Sequence, residues 1–240
     1  MGTLEPIPRF DKNQKNIEKS LTKRRKRVGK SEGDAMKFSA DLTANLDHLK
    51  QVLQTDKNFD VVYRMAEFGG HRACLFFVDG FTKDEVLLKM LQSWWSIKPE
   101  DMPSDAKGFS EKYVPYGEAG LIKEDTKMIV QLLSGVTCLF IDGYEECMTI
   151  DCRTYPARGV GEPEKDKVMR GSRDGFVETL IFNTALIRRR IRDPKLTMEI
   201  LTAGESSHTD IAVCYMKGRV DEDLLDRIRK RIQSLKVDAL

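Results

Sequence analysis

Long apolar runs are missing from this sequence. The longest uncharged stretch, Met128 to Ile141, has 14 residues and is interrupted by Gln131, Ser134 and Gly135, whereas a membrane span needs about 20. The chain as it stands is therefore expected to be soluble, and its start has no secretory pattern. Histidine is scarce, with three residues, and none of His48, His71 or His208 has cysteines or carboxylates at metal-ligand spacing. The cysteine count of five is odd, which argues for reduced thiols rather than a disulfide framework. Cys147 and Cys152 lie five apart, so on one strand they face opposite sides and cannot share a metal. A large charge of one sign is also absent: the net charge is +2, too small a field to call for nucleic acid.

Familiar phosphate motifs fail on inspection. "GKS" at Gly29 to Ser31 lacks the glycine five residues earlier, where Arg24 stands, and no strand precedes it. "GVG" at Gly159 to Gly161 runs into "EPEKD", without a third glycine or a following apolar helix. His208 lies in "GESSHTD" beside serines and Asp210. Three side chains within five residues cannot converge as a nucleophile, base and orienting acid, so a turn is the better reading. No enzyme chemistry and no cofactor are expected.

What is present is charge and alternating patterning. Charged residues make up 32% and apolar residues 40%, which suits a real core under a well-solvated surface. The first 35 residues hold ten Lys/Arg against five Asp/Glu and lack a steady apolar period, so they read as a flexible basic tail. Its densest cluster, Lys23 to Arg27, has no interleaved aromatic for base stacking. A solvated tail, an anionic membrane surface and nucleic acid remain its alternatives, in that order.

Beyond the tail, Leu42, Leu46, Leu49 and Leu53 have helical spacing, with Ser39 as a cap. Two strands around a Gly69-Gly70 turn follow. A helix capped by Thr82 is expected to offer Leu87, Leu88, Leu91 and Trp95 for burial. Residues 97–118 read as an irregular excursion rich in proline. A helix ending at Gly135 and a hairpin turning at Gly143 complete a first α/β unit. After a polar stretch come a long helix, two strands, a helix in "DEDLLDRIRKRIQSL" and the beginning of a strand in "KVDAL". The expected fold is α/β: a basic tail (1–36), a first subdomain (37–160), and a connecting helix with a second subdomain (161–240), both sheets mixed.

The stretch "RGSRDGFVETLIFNTALIRRRIRDP" connects the two. At roughly 100 degrees per residue, Phe176, Val177, Leu180, Ile187 and Ile191 share one face, and Phe182 and Leu186 lie nearly opposite. That predicts a strut with two apolar faces. Arg188, Arg189 and Arg190 splay in three directions and cannot form one flat basic patch. Asp193 is in reach of Arg189, and Ser172 or Asp174 is expected to cap the helix where a phosphate would otherwise sit. A structural or interface role is therefore favoured over phosphate binding.

From Asp151 onward the motifs "YPAR", "EP", "RGSRDGFVET", "NTALIRRRIRDP" and "TDIAVCY" closely resemble the GerA-type spore-germination family, in its N-terminal soluble domain. The wording "GFVETLIFNTALIRRRIRD" is more similar to the stage V sporulation protein AF branch than to the A subunits of nutrient germinant receptors. The resemblance continues more weakly through residues 39–150, including "DVVYR" and "VPYGE", and does not cover the tail. The family usually carries a basic residue at His208. The resemblance implies a non-enzymatic protein of the spore inner membrane, with this domain on the cytoplasmic, spore-core side and a membrane region following Leu240. It implies self-association, other germination membrane proteins as partners, and a role in assembly and signal coupling to ion release. Arg170, Arg173, Asp174, Glu178, Arg188, Arg189, Arg190 and Arg192 are the structural and interface candidates under this reading. The alternative is a small-molecule module that captures a germinant in a cleft between the two α/β units.

Overall fold

The structure, a computed structural model, describes residues 35–115, 118–155 and 175–235. From Met36 on, these residues form one unit built around two antiparallel sheets. The first sheet has five strands in the order β1-β2-β4-β5-β3. These are β1 (Val61–Phe68), β2 (His71–Val78), β3 (Ala119–Ile122), β4 (Thr137–Ile141) and β5 (Cys147–Ile150). Helices α1 (Leu42–Leu53) and α4 (Asp125–Leu133) cover one face; α2 (Asp84–Trp95) and α3 (Ala106–Tyr113) cover the other. Then come α5 (Leu180–Arg190), the hairpin β6 (Leu196–Ala203) and β7 (Thr209–Met216), and α6 (Glu222–Gln233).

Alternation along the central strands sorts the core into two layers. Cys74, Phe76 and Val78 of β2, with Cys138 and Phe140 of β4, pack on α1 and α4. Ala73 and Leu75 of β2, with Leu139 and Ile141 of β4, pack on α2 and α3. The thiols of Cys74, Cys138, Cys147 and Cys152 are all buried. Cys147 and Cys152 fall in opposite layers, as the five-residue spacing requires.

Several expectations need correction. The sheets are not mixed: every strand pairing is antiparallel. Near-continuous apolar runs suggest parallel strands because those are covered on both faces. Here the same double cover is given to antiparallel β2 and β4. Residues 97–118 are more regular than their prolines suggest: a 3-10 turn spans Pro99–Asp101, and Asp105 caps α3 by accepting the Gly108 amide at 2.7 Å. The caps also move. Asp41, not Ser39, accepts from the first amides of α1. Lys83 is the first flanking residue of α2, and the Thr82 hydroxyl is buried with no partner. On α2 it is Trp94 that is buried, while Leu88 and Trp95 face solvent, because at roughly 100 degrees per residue Trp94 falls in line with buried Leu87 and Leu91 and the other two lie well to one side. The strand expected in "KVDAL", and the tail before residue 35, lie outside the described residues.

The connecting helix is shorter than its apolar pattern. It starts at Leu180 because Asn183 reaches back to Val177. Its side-chain oxygen accepts the Val177 amide and its side-chain nitrogen donates to the Val177 carbonyl, both at 2.7 Å. A carboxamide that occupies both backbone groups of a residue competes with helix formation there. Phe176 is left before the helix and exposed.

Candidate functional site

The strut with two apolar faces does not form. The buried face of α5 is Thr184, Ala185 and Arg188, whereas Phe182 is exposed on the helix and Ile191 just beyond it. Close approach explains the small residues. Gly80, at the turn after β2, has φ +77, and a Cβ there would meet Ile181 Cγ2 at 3.0 Å and Ala185 Cβ at 3.3 Å. Only glycine combines that backbone with that contact. The helix therefore lies against the first sheet through backbone proximity and one charged residue, not through a broad apolar stripe.

That residue is Arg188, which is 0% exposed. Its Nε donates to Asp60 Oδ2 at 2.7 Å and its Nη2 to Asp60 Oδ1 at 3.1 Å. Nη2 also donates to the Leu196 carbonyl at 3.1 Å, and Nη1 to the Asp193 carbonyl at 3.2 Å. Asp60 precedes β1; Leu196 begins β6. One guanidinium thus ties the first sheet, the end of α5 and the second sheet together. The planar fork suits this double grip on a carboxylate, and a cation at the end of a helix is favoured by the aligned peptide dipoles.

Neighbouring groups extend the junction. Asn58, also buried, accepts the Met198 amide at 2.8 Å and donates to the Leu53 carbonyl at 2.7 Å. The Phe59 amide donates to the Met198 carbonyl at 3.2 Å. Gln54, which ends α1 in a left-handed conformation, donates to the Pro194 carbonyl at 3.2 Å. Cys214 of β7 is close enough to feel Asp60 and Arg188; burial pushes its thiol up, and the Asp60 charge adds to this. Such a junction holds rather than reacts, because Arg188 is engaged by protein acceptors and offers no open fork to a phosphate. Among the described residues no group of three His, Cys, Asp or Glu could hold a metal.

The three consecutive arginines do splay, and each has a different environment. Arg188 is in the junction. Arg189 lies over the Tyr155 ring, 4.6 Å from its centroid, and not on Asp193, whose carboxylate instead accepts the Lys195 amide at 2.8 Å. Arg190 and Arg192 are at the surface, as is Glu178. Arg170, Arg173 and Asp174, with the expected cap at Ser172 or Asp174, lie outside the described residues. Of the five candidates among the described residues, only Arg188 enters the buried junction. Gln54, Asn58 and Asp60 were missed by sequence reasoning, since nothing local marks polar residues that pair across some 130 positions. His48 is half-buried and bonds Asp125 at 2.7 Å. His208 sits in the β6–β7 turn with φ 44.

Asp79 closes the rim of the junction, its amide donating to the Asp60 carbonyl at 2.8 Å. Burial raises its carboxyl above the usual carboxylate range. The Gly80 amide opposes this, and the Asp84 and Asp60 charges reinforce it. A carboxyl with a raised folded-state pKa favours the fold below its unfolded pKa, and that contribution is lost as pH rises through the folded value. Asp79→Asn is therefore expected to melt higher than the parent at pH 7. The difference should vanish near about pH 3, where the acid is neutral in both states. Thermal unfolding across that range checks the sign.

In the second sheet Glu199 accepts from Arg229 Nη2 at 2.7 Å and Nε at 2.9 Å, and from the Tyr215 hydroxyl. This network, with buried Leu225, holds α6 on the sheet. No helix of the described residues is long and apolar enough to cross a membrane.

Comparison with known proteins accounts for this architecture. The model of the Bacillus/Clostridium GerA spore germination protein family matches residues 47–240. Stage V sporulation protein AF of Bacillus subtilis is 32% identical over 198 residues, covering 82% of this chain and 40% of the relative. Spore germination protein B1 of the same organism is 32% identical over 212 residues, covering 85% and 42%. The chain thus spans about two fifths of the length of these relatives. A solved structure, the N-terminal domain of the A subunit of the Bacillus megaterium spore germinant receptor GerK3, superposes with a TM-score of 0.67 at 21% identity. That match covers 85% of this chain and 75% of the other. With the family match spanning most of its length, the chain belongs to the GerA spore germination protein family.

Proposed function

We propose that this chain is the non-catalytic N-terminal domain of a membrane-embedded germination protein, acting in assembly and in coupling a signal to ion release. On this reading residues 37–160 and 161–240 are two subdomains. The observation that carries the reading is the Arg188–Asp60 junction, buried at both partners. It lies on the "RRRIRDP" motif and joins two sheets into one body that can pass a displacement on rather than absorb it. The relatives bear germination names, and the reading places this domain on the spore-core side of the inner membrane. Its partners are further copies of itself and other germination membrane proteins, with Lys23 to Arg27 available to an anionic membrane surface.

Arg189, Arg190, Arg192 and Glu178 at the surface, with Arg170, Arg173 and Asp174, are the residues assigned to contacts between subunits. Charge reversal at Arg173 or Glu178 in the full-length protein is expected to weaken its assembly and delay germination while the domain still folds. Chemical cross-linking in spores and germination rate are the measurements. Unchanged assembly and germination in both variants would overturn the reading. A saturable thermal shift of the 240-residue chain with one amino acid or sugar would replace it with a germinant-binding role.

A further inference from the structure

Helix α6 has a flank that the second sheet does not use. Advancing roughly 100 degrees per residue from buried Leu225, Arg229 stays on the sheet side. Arg227, Arg231, Leu224 and Ile228 fall together in a sector about 100 degrees wide. Leu224 is 45% and Ile228 39% exposed. Arg227 and Arg231 are exposed and have no ion pair among the described residues. Glu222 and Asp226 lie on the opposite flank; Asp223 falls about 40 degrees outside the sector next to Arg227, and Asp221 caps the helix by accepting the Leu224 amide, so no carboxylate lies within the sector.

We infer that this flank of α6 binds an anionic lipid surface. Two unpaired arginines one turn apart, beside two exposed aliphatic side chains with no carboxylate between them, match the shallow insertion and charge attraction of an interfacial helix. A protein partner fits less well. A specific protein interface needs about 1,000 Å² of well-packed surface, and the convex side of one short helix with two aliphatic residues supplies far less. The site is distinct in sequence from the basic cluster at Lys23 to Arg27. It also stands independently of the assembly role, whose test reads cross-linking and germination.

Vesicle co-sedimentation tests it. In every arm Lys23, Arg24, Arg25, Lys26 and Arg27 are replaced by serine, so that the tail cannot supply the signal. The protein is mixed with vesicles of phosphatidylcholine alone, or of phosphatidylcholine with phosphatidylglycerol. Binding is expected only to the anionic vesicles and should weaken as salt rises. Arg227→Glu with Arg231→Glu should lower the partition coefficient by about tenfold or more. Leu224→Ser with Ile228→Ser should lower it with the charges intact. Thermal unfolding checks that both variants fold. Absent or equal binding to the two vesicle types, or parent-like binding by the charge-reversed variant, would overturn the inference. Binding to a polyglutamate peptide in preference to anionic vesicles would also overturn it, in favour of an acidic protein partner.

Discussion

Arg188→Ala is expected to lose about 3–5 kcal/mol of folding stability, because it leaves the Asp60 carboxylate buried without its partner. Asp60 is 2% exposed at the side chain and Arg188 is 0% exposed, so solvent cannot replace the lost bonds. For a unit of this size that loss lowers the melting temperature by roughly 10 °C or more. Arg188→Lys keeps the charge but cannot make the paired donation to both carboxylate oxygens, so it should recover only part of the loss. The double change Asp60→Ala with Arg188→Ala should cost clearly less than the two single losses added, since it removes both charges. Arg189→Ala is the control: a surface cation over the Tyr155 ring is worth about 1 kcal/mol or less. Equilibrium urea unfolding of the parent, Asp60→Ala and these four variants decides the matter. A loss below about 1 kcal/mol for Arg188→Ala would mean that the junction does not hold the sheets together.

The second large effect is expected at Trp94→Ala, again about 3–5 kcal/mol. Trp94 is 0% exposed. Its ring meets Phe68 at 5.3 Å and Phe109 at 5.9 Å between centroids, both edge-on. Its Nε1 donates to the Tyr113 carbonyl at 2.8 Å. One side chain therefore joins α2, the end of β1, and the middle and last residue of α3. Truncation opens a cavity and leaves the Tyr113 carbonyl without a donor, and the two costs add. Trp94→Phe should keep much of the ring contact and lose the hydrogen bond, costing less. Trp95→Ala changes a half-exposed neighbour and should stay within about 1 kcal/mol. If Trp94 and Trp95 respond alike in urea unfolding, the assignment of the buried ring is wrong.

That neighbouring pair shows how far patterning reaches. "SWW" on a helix says that one tryptophan faces inward; which one depends on which leucines form the buried stripe, and Met90 with Leu87 and Leu91 sets that stripe on the Trp94 side. The strands "ACLFFV" and "TCLFI" were legible from their apolar runs and turn glycines. Their mutual direction was not, because an apolar run records cover on both faces and carries no sign for strand polarity. The helix in "LIFNTALIRRR" was legible in its C-terminal half. Its start was hidden in a side-chain bond from Asn183 to Val177, which competes with the backbone in a way periodicity does not register.

By itself the sequence determined the α/β class, the approximate elements, the splaying of Arg188, Arg189 and Arg190, and, through long motifs, the germination family. These follow from local chemistry: residue periods, turn residues and the fixed angle between successive helical side chains. Only the tertiary structure decided that Arg188 is the arginine held at the junction, that Asp60 and Asn58 receive it and the second sheet, and that the small face of α5 goes inward. Asp60 and Arg188 stand 128 positions apart. A buried carboxylate and its arginine leave no local trace of each other until the chain has folded and removed water from both.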